Sequence, residues 1–408
     1  MIKVEDRSAK VTSASQSAGK PIAIAAEADP KAETVALQSW LDRALTWRNR
    51  ILAKPSFQRW AAAFPLTKPI AERNARALFD VCAGFVYSQV LLACIKLDLF
   101  SMLADGPLTV ADLSRRLGLE ERAARRLLNA AASLKLLDRR RDDRFGLGSL
   151  GAVLNGNPSI AAMIEHHALL YADLRDPIAL LKGDVKKTEL GTYWPYAGGA
   201  GAESRDPERV QTYTRLMAQS QPLISADILD AYSFKAHRCL LDVGGGDGTF
   251  LSLVLERAPH LALKLFDLPP VAAEARVRLE ANGHGSRVEV HGGDFLADPL
   301  PTGADVISLV RVIFDHDDAT ALRILTAVRR ALPPNGVLLL AEPMSGTRGA
   351  EPISDAYFGF YLLAMGRGRT RTPEDMARLL DAAGFGVPQV VPTCRPMFMR
   401  LLKASPRR

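Results

Sequence analysis

The chain has 408 residues, 48% of them apolar and 24% charged, with a formal net charge of +7. This composition excludes a disordered or fibrous chain, and the length predicts about two or three domains. The four cysteines, Cys82, Cys94, Cys239 and Cys394, form no C-x-x-C pair, which argues against a disulfide scaffold or a zinc ribbon.

Residues 1–34 are polar, rich in Ala, Ser and Lys, and lack a continuous apolar run. They predict a disordered tail with no secretory signal, and hence a cytoplasmic chain. From Val35 to Arg50, Leu37, Trp40, Leu41, Ala44, Leu45 and Trp47 recur at helical spacing between charges, as in an amphipathic helix. Ala75 to Leu103 predicts one or two helices that are apolar nearly all round and therefore buried. The longest uncharged stretch there, Val81 to Ile95, has 15 residues. A bilayer span needs about 20, so a buried interface helix is expected instead.

Thr109 to Asp112 can cap a short helix that stops at Gly118. A second helix, Glu121 to Leu134, places Ala124, Leu127, Leu128 and Ala131 on one face. The charged turn Asp138 to Arg144 follows, then Phe145-Gly146-Leu147. Two short helices and a small hairpin form a winged-helix pattern. Its arginines (Arg115, Arg116, Arg122, Arg125, Arg126) suit DNA binding or, equally, a solvated face on a dimerisation module.

The charge is unevenly placed. Residues 1–75, 115–144 and 386–408 each carry net +5, whereas 145–385 carry net −6. The basic excess is peripheral and the long middle of the chain is mildly acidic.

Residues 149–235 read as helical and loop-rich. From Arg238, strand-like runs (Cys239–Val243, Leu263–Phe266, Val288–His291, Val306–Val310, Val337–Ala341) alternate with helical segments. Such alternation predicts an α/β domain with a doubly wound, Rossmann-like parallel sheet. Helices over Ser354–Met365 and Pro373–Ala383 follow, then short strands over Val387–Val391 and Met397–Leu402. The expected domains are the tail (1–34), a helical winged-helix domain (35–148), a helical linker that lines the substrate (149–235) and a cofactor-binding catalytic domain (236–408).

The sharpest local signal is Leu240-Leu241-Asp242-Val243-Gly244-Gly245-Gly246-Asp247-Gly248-Thr249. An apolar strand ends in a glycine turn that opens a helix, and Gly244, Gly246 and Gly248 let the backbone bend tightly beside a ligand. Asp267 ends the second strand, where a carboxylate can accept from both hydroxyls of a ribose; Leu268 follows it. Asp242 and Asp247 would repel a pyrophosphate but suit a cationic amino-acid moiety. The turn therefore favours S-adenosylmethionine over NAD. After the third strand, Asp294 can accept from an adenine amino group while Phe295 packs on the ring.

Together, LDVGGGDG, FDLPPV, GGDF, LVRVIFDHDD and GRTRTPEDMARLLDAAGF resemble S-adenosylmethionine-dependent O-methyltransferases of the plant caffeate and bacterial polyketide type. The resemblance runs from about Leu78 to the C-terminus. It implies that the winged-helix module is a dimerisation domain and the chain a homodimer. Within that family, the RVIFDHDD segment and EPMSGTRGAEPISDAYFGFYLLAMGRGRTRT look most like the bacterial carotenoid hydroxyl methyltransferases. That likeness implies a lipophilic 1-hydroxy carotenoid of the hydroxyneurosporene or demethylspheroidene type, methylated on the way to spheroidene.

The family carries a catalytic His in a pattern like R-V-L-H-D-W-D-D. Here the run is Arg311-Val312-Ile313-Phe314-Asp315-His316-Asp317-Asp318. Phe314 stands in the His column and His316 in the Trp column. His316 is then either the nearest proton acceptor or an exposed residue at a helix start. Arg311 stands where the family often has Lys near the adenosine. His166 and His167 would face the pocket, and Phe358, Tyr361, Leu362 and Met365 would line an apolar tunnel. Glu342, ending the fifth strand, orients a catalytic group or sits on the cofactor side. No metal site and no nucleic-acid partner are expected. The basic periphery suits weak contact with an anionic membrane. The competing readings are methylation of a small phenol, a polyketide or a chlorophyll-type pigment, or a non-catalytic winged-helix regulator that binds DNA.

Overall fold

The computed structural model describes residues 30–193 and 207–407. Most of the expected tail lies outside the described residues, and its last residues open a helix, Pro30–Leu52. The chain divides between Phe85 and Val86 into two compact units.

The first unit contains the helices Pro30–Leu52 and Pro55–Ala63 and the first part of Lys68–Lys96. Proline at the start of the second helix pre-sets the backbone angle that a first turn requires. Large apolar side chains of this unit face outward, among them Trp40, Trp47, Trp60, Phe64 and Leu66. The all-round apolar segment expected to be buried, Ala75 to Leu103, falls on a 29-residue helix, Lys68–Lys96, and a short one, Leu99–Met102; Cys94, Leu99, Phe100 and Leu103 are buried, whereas Val81 is 81% and Phe85 71% exposed. An apolar helix face is stable in water only when it is covered, so such exposed positions call for a partner surface. By length and composition the helix is also apolar enough to cross a bilayer, which the count of its 15 uncharged residues did not anticipate.

The second unit opens with the winged-helix pattern as expected. The Thr109 hydroxyl caps the helix Val110–Leu117 by accepting from Asp112 N at 3.1 Å, and Gly118 ends it in the left-handed region at φ 63°. Helix Glu121–Ser133 buries Ala124, Leu128 and Ala131. Strands Leu137–Arg140 and Arg144–Leu147 form the hairpin, and Leu108–Thr109 adds a third strand. Several arginines here are neutralised locally. Arg125 pairs with Asp143 at 2.7 Å and Glu121 at 2.9 Å, and Arg115 pairs with Asp112.

The alternating half of the chain forms a seven-stranded sheet. Its strands are β1 (Cys239–Val243), β2 (Ala262–Asp267), β3 (Val288–Gly292), β4 (Val306–Val310), β5 (Val337–Glu342), β6 (Gln389–Val391) and β7 (Arg400–Ala404). Their spatial order is β3-β2-β1-β4-β5-β7-β6. The first five run parallel, and β7 joins β5 antiparallel, with Leu402 opposite Leu340. Every residue of β1, β4 and β5 is buried, as strands covered on both faces must be. The order reverses at β1, which opens a crevice at the carboxyl ends of β1 and β4, where ligands bind in such sheets. The two terminal strands begin two and three residues later than the hydrophobic runs predicted.

One buried cation holds the rim of that crevice. Arg371, 1% exposed, donates to Ile313 O at 2.9 Å and His316 O at 2.7 Å, and its Nε reaches Asp318 Oδ1 at 2.9 Å. The carbonyls belong to the short 3-10 turn Ile313–Asp315 and the residue after it. Arg371→Met leaves His316 O without this donor, while Ile313 O keeps the His316 N–H and exposed Asp318 keeps Arg369. It is expected to cost about 1–3 kcal/mol, read as a lowered urea midpoint with an unchanged slope.

Candidate active site

The glycine turn after β1 is built by backbone geometry. Gly244 has φ 71°, and a Cβ there would lie 2.7 Å from Val312 Cγ2. Gly246 has φ 58° and a Cβ there would meet nothing within 4 Å, because that side opens into a cavity. Its N–H donates to Asp267 Oδ2 at 2.8 Å, tying the turn to the end of β2. Gly248 does not line the cavity; a Cβ there would press on Leu279 at 3.2 Å, so its role is packing.

The cavity has a volume of about 610 Å³. At its glycine end stand Asp242, Asp267, Leu268, Asp294 and Phe295. Asp242 is buried, and the donor to it is a neutral group, the Ser308 hydroxyl at 2.6 Å. Burial pushes Asp242 up to about 7, the Ser308 bond opposes this, and nearby Asp267 adds to it. Asp247 pairs with Arg278 at 3.1 Å and caps the following helix through Thr249. This end of the cavity therefore favours a cation.

Arg311 follows β4 in the left-handed region, at φ 57°, a strained conformation for a side-chain-bearing residue. Its guanidinium donates to Ser220 Oγ at 2.8 Å and Gln221 Oε1 at 2.6 Å, binding the sheet to the helix Pro207–Ala231. The next turn puts Phe314, Asp315 and His316 on the cavity wall. Glu342 Oε1 accepts from Val312 N at 3.0 Å and Ile313 N at 2.7 Å and so fixes the turn from below. His316 is half-buried, not the exposed helix-start residue, and its ring meets Phe295 edge-on at 5.6 Å. Burial, then Arg367, hold its pKa down to about 4, so the imidazole is neutral.

The far end is apolar and aromatic. Phe314 meets Phe358 edge-on at 6.0 Å, and Tyr357, Tyr361 and Met365 continue the wall. His166 and His167 do not line the cavity. They stand behind it, with His166 Nε2 3.0 Å from the Tyr361 hydroxyl and His167 Nε2 2.7 Å from that of Tyr357. Leu362 likewise turns away, into a cluster with Leu170, Leu180 and Leu190. The segment before it, Pro352–Tyr357, is a π-helix, whose wider turn shifts the phase of the face predicted from regular helical spacing. Sequence reasoning missed Tyr357, Ser220, Gln221 and Asp315. Tyr357 was visible as the first member of an i, i+4 stripe with Tyr361 and Met365, whereas Ser220 and Gln221 carried no local signal.

Residues 171–386 match the O-methyltransferase domain and 79–154 the O-methyltransferase dimerisation domain. The chain belongs to the O-methyltransferase family. Demethylspheroidene O-methyltransferase of Cereibacter sphaeroides is 45% identical over 85% of this chain and 91% of that protein. Acetylserotonin O-methyltransferase of Mus musculus is 33% identical over 77% of this chain and 84% of its own. Among solved structures, a methyltransferase of calicheamicin biosynthesis in its SAH-bound form superposes with TM-score 0.67 at 28% identity, covering 82% of this chain and 98% of that one.

The cofactor of this O-methyltransferase is S-adenosylmethionine. The residues present fit it. The space open beside Gly246 admits a ligand against backbone, and the carboxyls of Asp242 and Asp267 suit its cationic and ribose parts. Asp294 and Phe295 close the same end. Gly246→Ala therefore fills ligand space without an internal clash, although its φ adds strain. The expected outcome is a loss of cofactor affinity of tenfold or more by calorimetric titration, on the order of 1.4 kcal/mol, and Asp267→Ala is expected to abolish measurable binding.

Proposed function

We propose that this O-methyltransferase methylates the 1-hydroxyl of a hydroxylated carotenoid of the demethylspheroidene or hydroxyneurosporene type, in spheroidene biosynthesis. The observation that carries the reading is the continuity of the carboxylate-lined cofactor end with an apolar wall of Phe314, Phe358, Tyr361 and Met365. The relatives support it: the demethylspheroidene O-methyltransferases of Cereibacter sphaeroides and Rhodobacter capsulatus are 45% and 40% identical to this chain.

S-adenosylmethionine supplies a methyl group on a positively charged sulfur. The chain's own task is to present an acceptor oxygen in line with that methyl and to exclude water. A phenol ionises near pH 10 and a histidine base removes its proton at modest cost. A tertiary alcohol is far less acidic, so no alkoxide forms beforehand. Phe314 cannot take a proton, but it offers the apolar surface that a polyene end requires.

The enzyme works as a homodimer in this reading. The open face of Lys68–Lys96, carrying Val81 and Phe85, falls within or beside the matched dimerisation domain and is the surface a second copy covers. The DNA-binding alternative is disfavoured because Arg115, Arg125, Arg140 and Arg144 are already paired with carboxylates of the same module.

Transfer of labelled methyl from S-adenosylmethionine to 1-hydroxy carotenoids in detergent is the expected outcome. Absence of that transfer, with good transfer to catechols, overturns the reading. The substrate's solubility also places the enzyme at a membrane surface. Exposed Trp40, Trp47 and Trp60 stand among Arg43, Arg48, Lys54 and Arg59 on the N-terminal helices, a combination that partitions to anionic interfaces. Co-sedimentation with anionic vesicles that weakens with salt, and that is lost on removing residues 1–54, is expected; salt-independent absence of binding removes the membrane contact.

A further inference from the structure

We propose that Asp315 receives the proton of the acceptor hydroxyl and that Glu342 positions it for that task. The inference rests on the reading that the acceptor is an aliphatic hydroxyl held in this cavity.

The other titratable groups near the apolar end are poorly suited. His316 is half-buried beside Arg367 and Arg371, and an imidazole held down to about 4 retains a proton weakly. His166 is likewise held down to about 4 by burial, and it is engaged with the Tyr361 hydroxyl. His167 is engaged with Tyr357. Phe314 has no proton chemistry.

Asp315 differs in place and environment. It is 6% exposed, yet it lines the cavity between Phe314 and His316, where the cofactor end meets the apolar end. Burial and the Glu342 carboxyl raise its proton affinity well above that of a surface carboxylate, while Arg311 opposes them. Glu342 is 0% exposed. Its Oε1 holds the turn through two backbone amides, and its Oε2 has no hydrogen-bond partner among the described residues. A buried acceptor left unsatisfied is costly, and structural duty alone needs only the first oxygen. Two buried carboxyls thus share this corner, and a charge on Glu342 resists ionisation of Asp315, which makes the ionised Asp315 a stronger base. Arg371 tempers Glu342, and Arg311 and Tyr361 are the charged and titratable groups facing Asp315 from the neighbouring elements.

The step balances. The hydroxyl O–H bond breaks as the O–C bond forms and the S–C bond of the donor breaks. The proton goes to an Asp315 carboxylate oxygen. One cation and one carboxylate become a neutral thioether and a neutral acid, which a low-dielectric site favours.

The test compares full-length wild type with Asp315→Asn, using 1-hydroxy carotenoid in detergent. The variant is expected to lose about 100-fold or more in kcat, with cofactor affinity by calorimetry unchanged within about threefold. Infrared titration of the cofactor-free chain supplies a readout independent of turnover. Asp242 and Glu342 also hold protons above the usual carboxylate range, so the expected change is the loss of one buried carboxylic-acid signal of several. A variant with wild-type kcat, or with every such signal retained, overturns the proposal. If the Asn chain fails to fold, Glu342→Gln is the second variant. Without the opposing carboxylate, Asp315 ionises at lower pH, so the rise of kcat with pH moves down; an unmoved profile overturns the proposal. Wild type that methylates catechols but no carotenoid defeats the substrate reading instead, and Asp315 is then judged by the infrared loss alone.

Discussion

The short turn after β4 has to hold three side chains against a ligand cavity while offering almost no regular structure of its own. Two buried ionisable side chains solve this. Glu342, at the end of β5, accepts the amides of Val312 and Ile313, and Arg371 donates to the carbonyls of Ile313 and His316. A four-residue segment thus receives its donors and acceptors from elements about 30 and 55 positions away in sequence. Gly368 completes the clamp: it lies so close to the turn that a Cβ would sit 2.4 Å from Phe314 O. The orientation of Phe314, Asp315 and His316 is a consequence of this clamp, and so is the shape of the cavity between cofactor and substrate.

The same clamp explains why one half of the site was legible in the sequence and the other was not. The cofactor end is local. A strand, a glycine turn and an acid at the next strand end are contiguous motifs, and Asp242, Gly244, Gly246, Asp267, Asp294 and Phe295 all reach the cavity. The alternating strands and the winged-helix caps are local in the same sense. The acceptor end depends on long-range contacts and on one irregular helix. His166 and His167 sit behind Tyr361 and Tyr357, and no helical periodicity places a π-turn in front of Leu362. Asp315 was hidden in a run of acids that reads as a solvated helix start. Burial distinguishes it from Asp317 and Asp318, which stay exposed.

For Lys68–Lys96 the sequence called for a buried interface helix, and within one chain Val81 and Phe85 stay largely exposed. Hydropathy reports that a face must be covered, but not by what. The dimerisation domain matched from residue 79 gives that face a use. The peripheral basic charge takes on a narrower meaning as well. In the winged-helix module, Arg125, Arg140 and Arg144 pair with Glu121, Asp138, Asp142 and Asp143, and on the N-terminal helices the basic residues stand beside exposed tryptophans.

Charge placement unites the two ends of the cavity. A cationic methyl donor is stabilised by carboxyls, and a buried carboxyl is stabilised by a nearby cation, so each raises the other's tolerance for burial. At the glycine end Asp242 is pushed up to about 7 by burial, and a bound cation would bring it down again. At the turn, Arg311 does the same for Asp315 from a strained backbone position. The strain is explicable on this view, because the left-handed residue after β4 brings its guanidinium onto Ser220 and Gln221 and not into solvent.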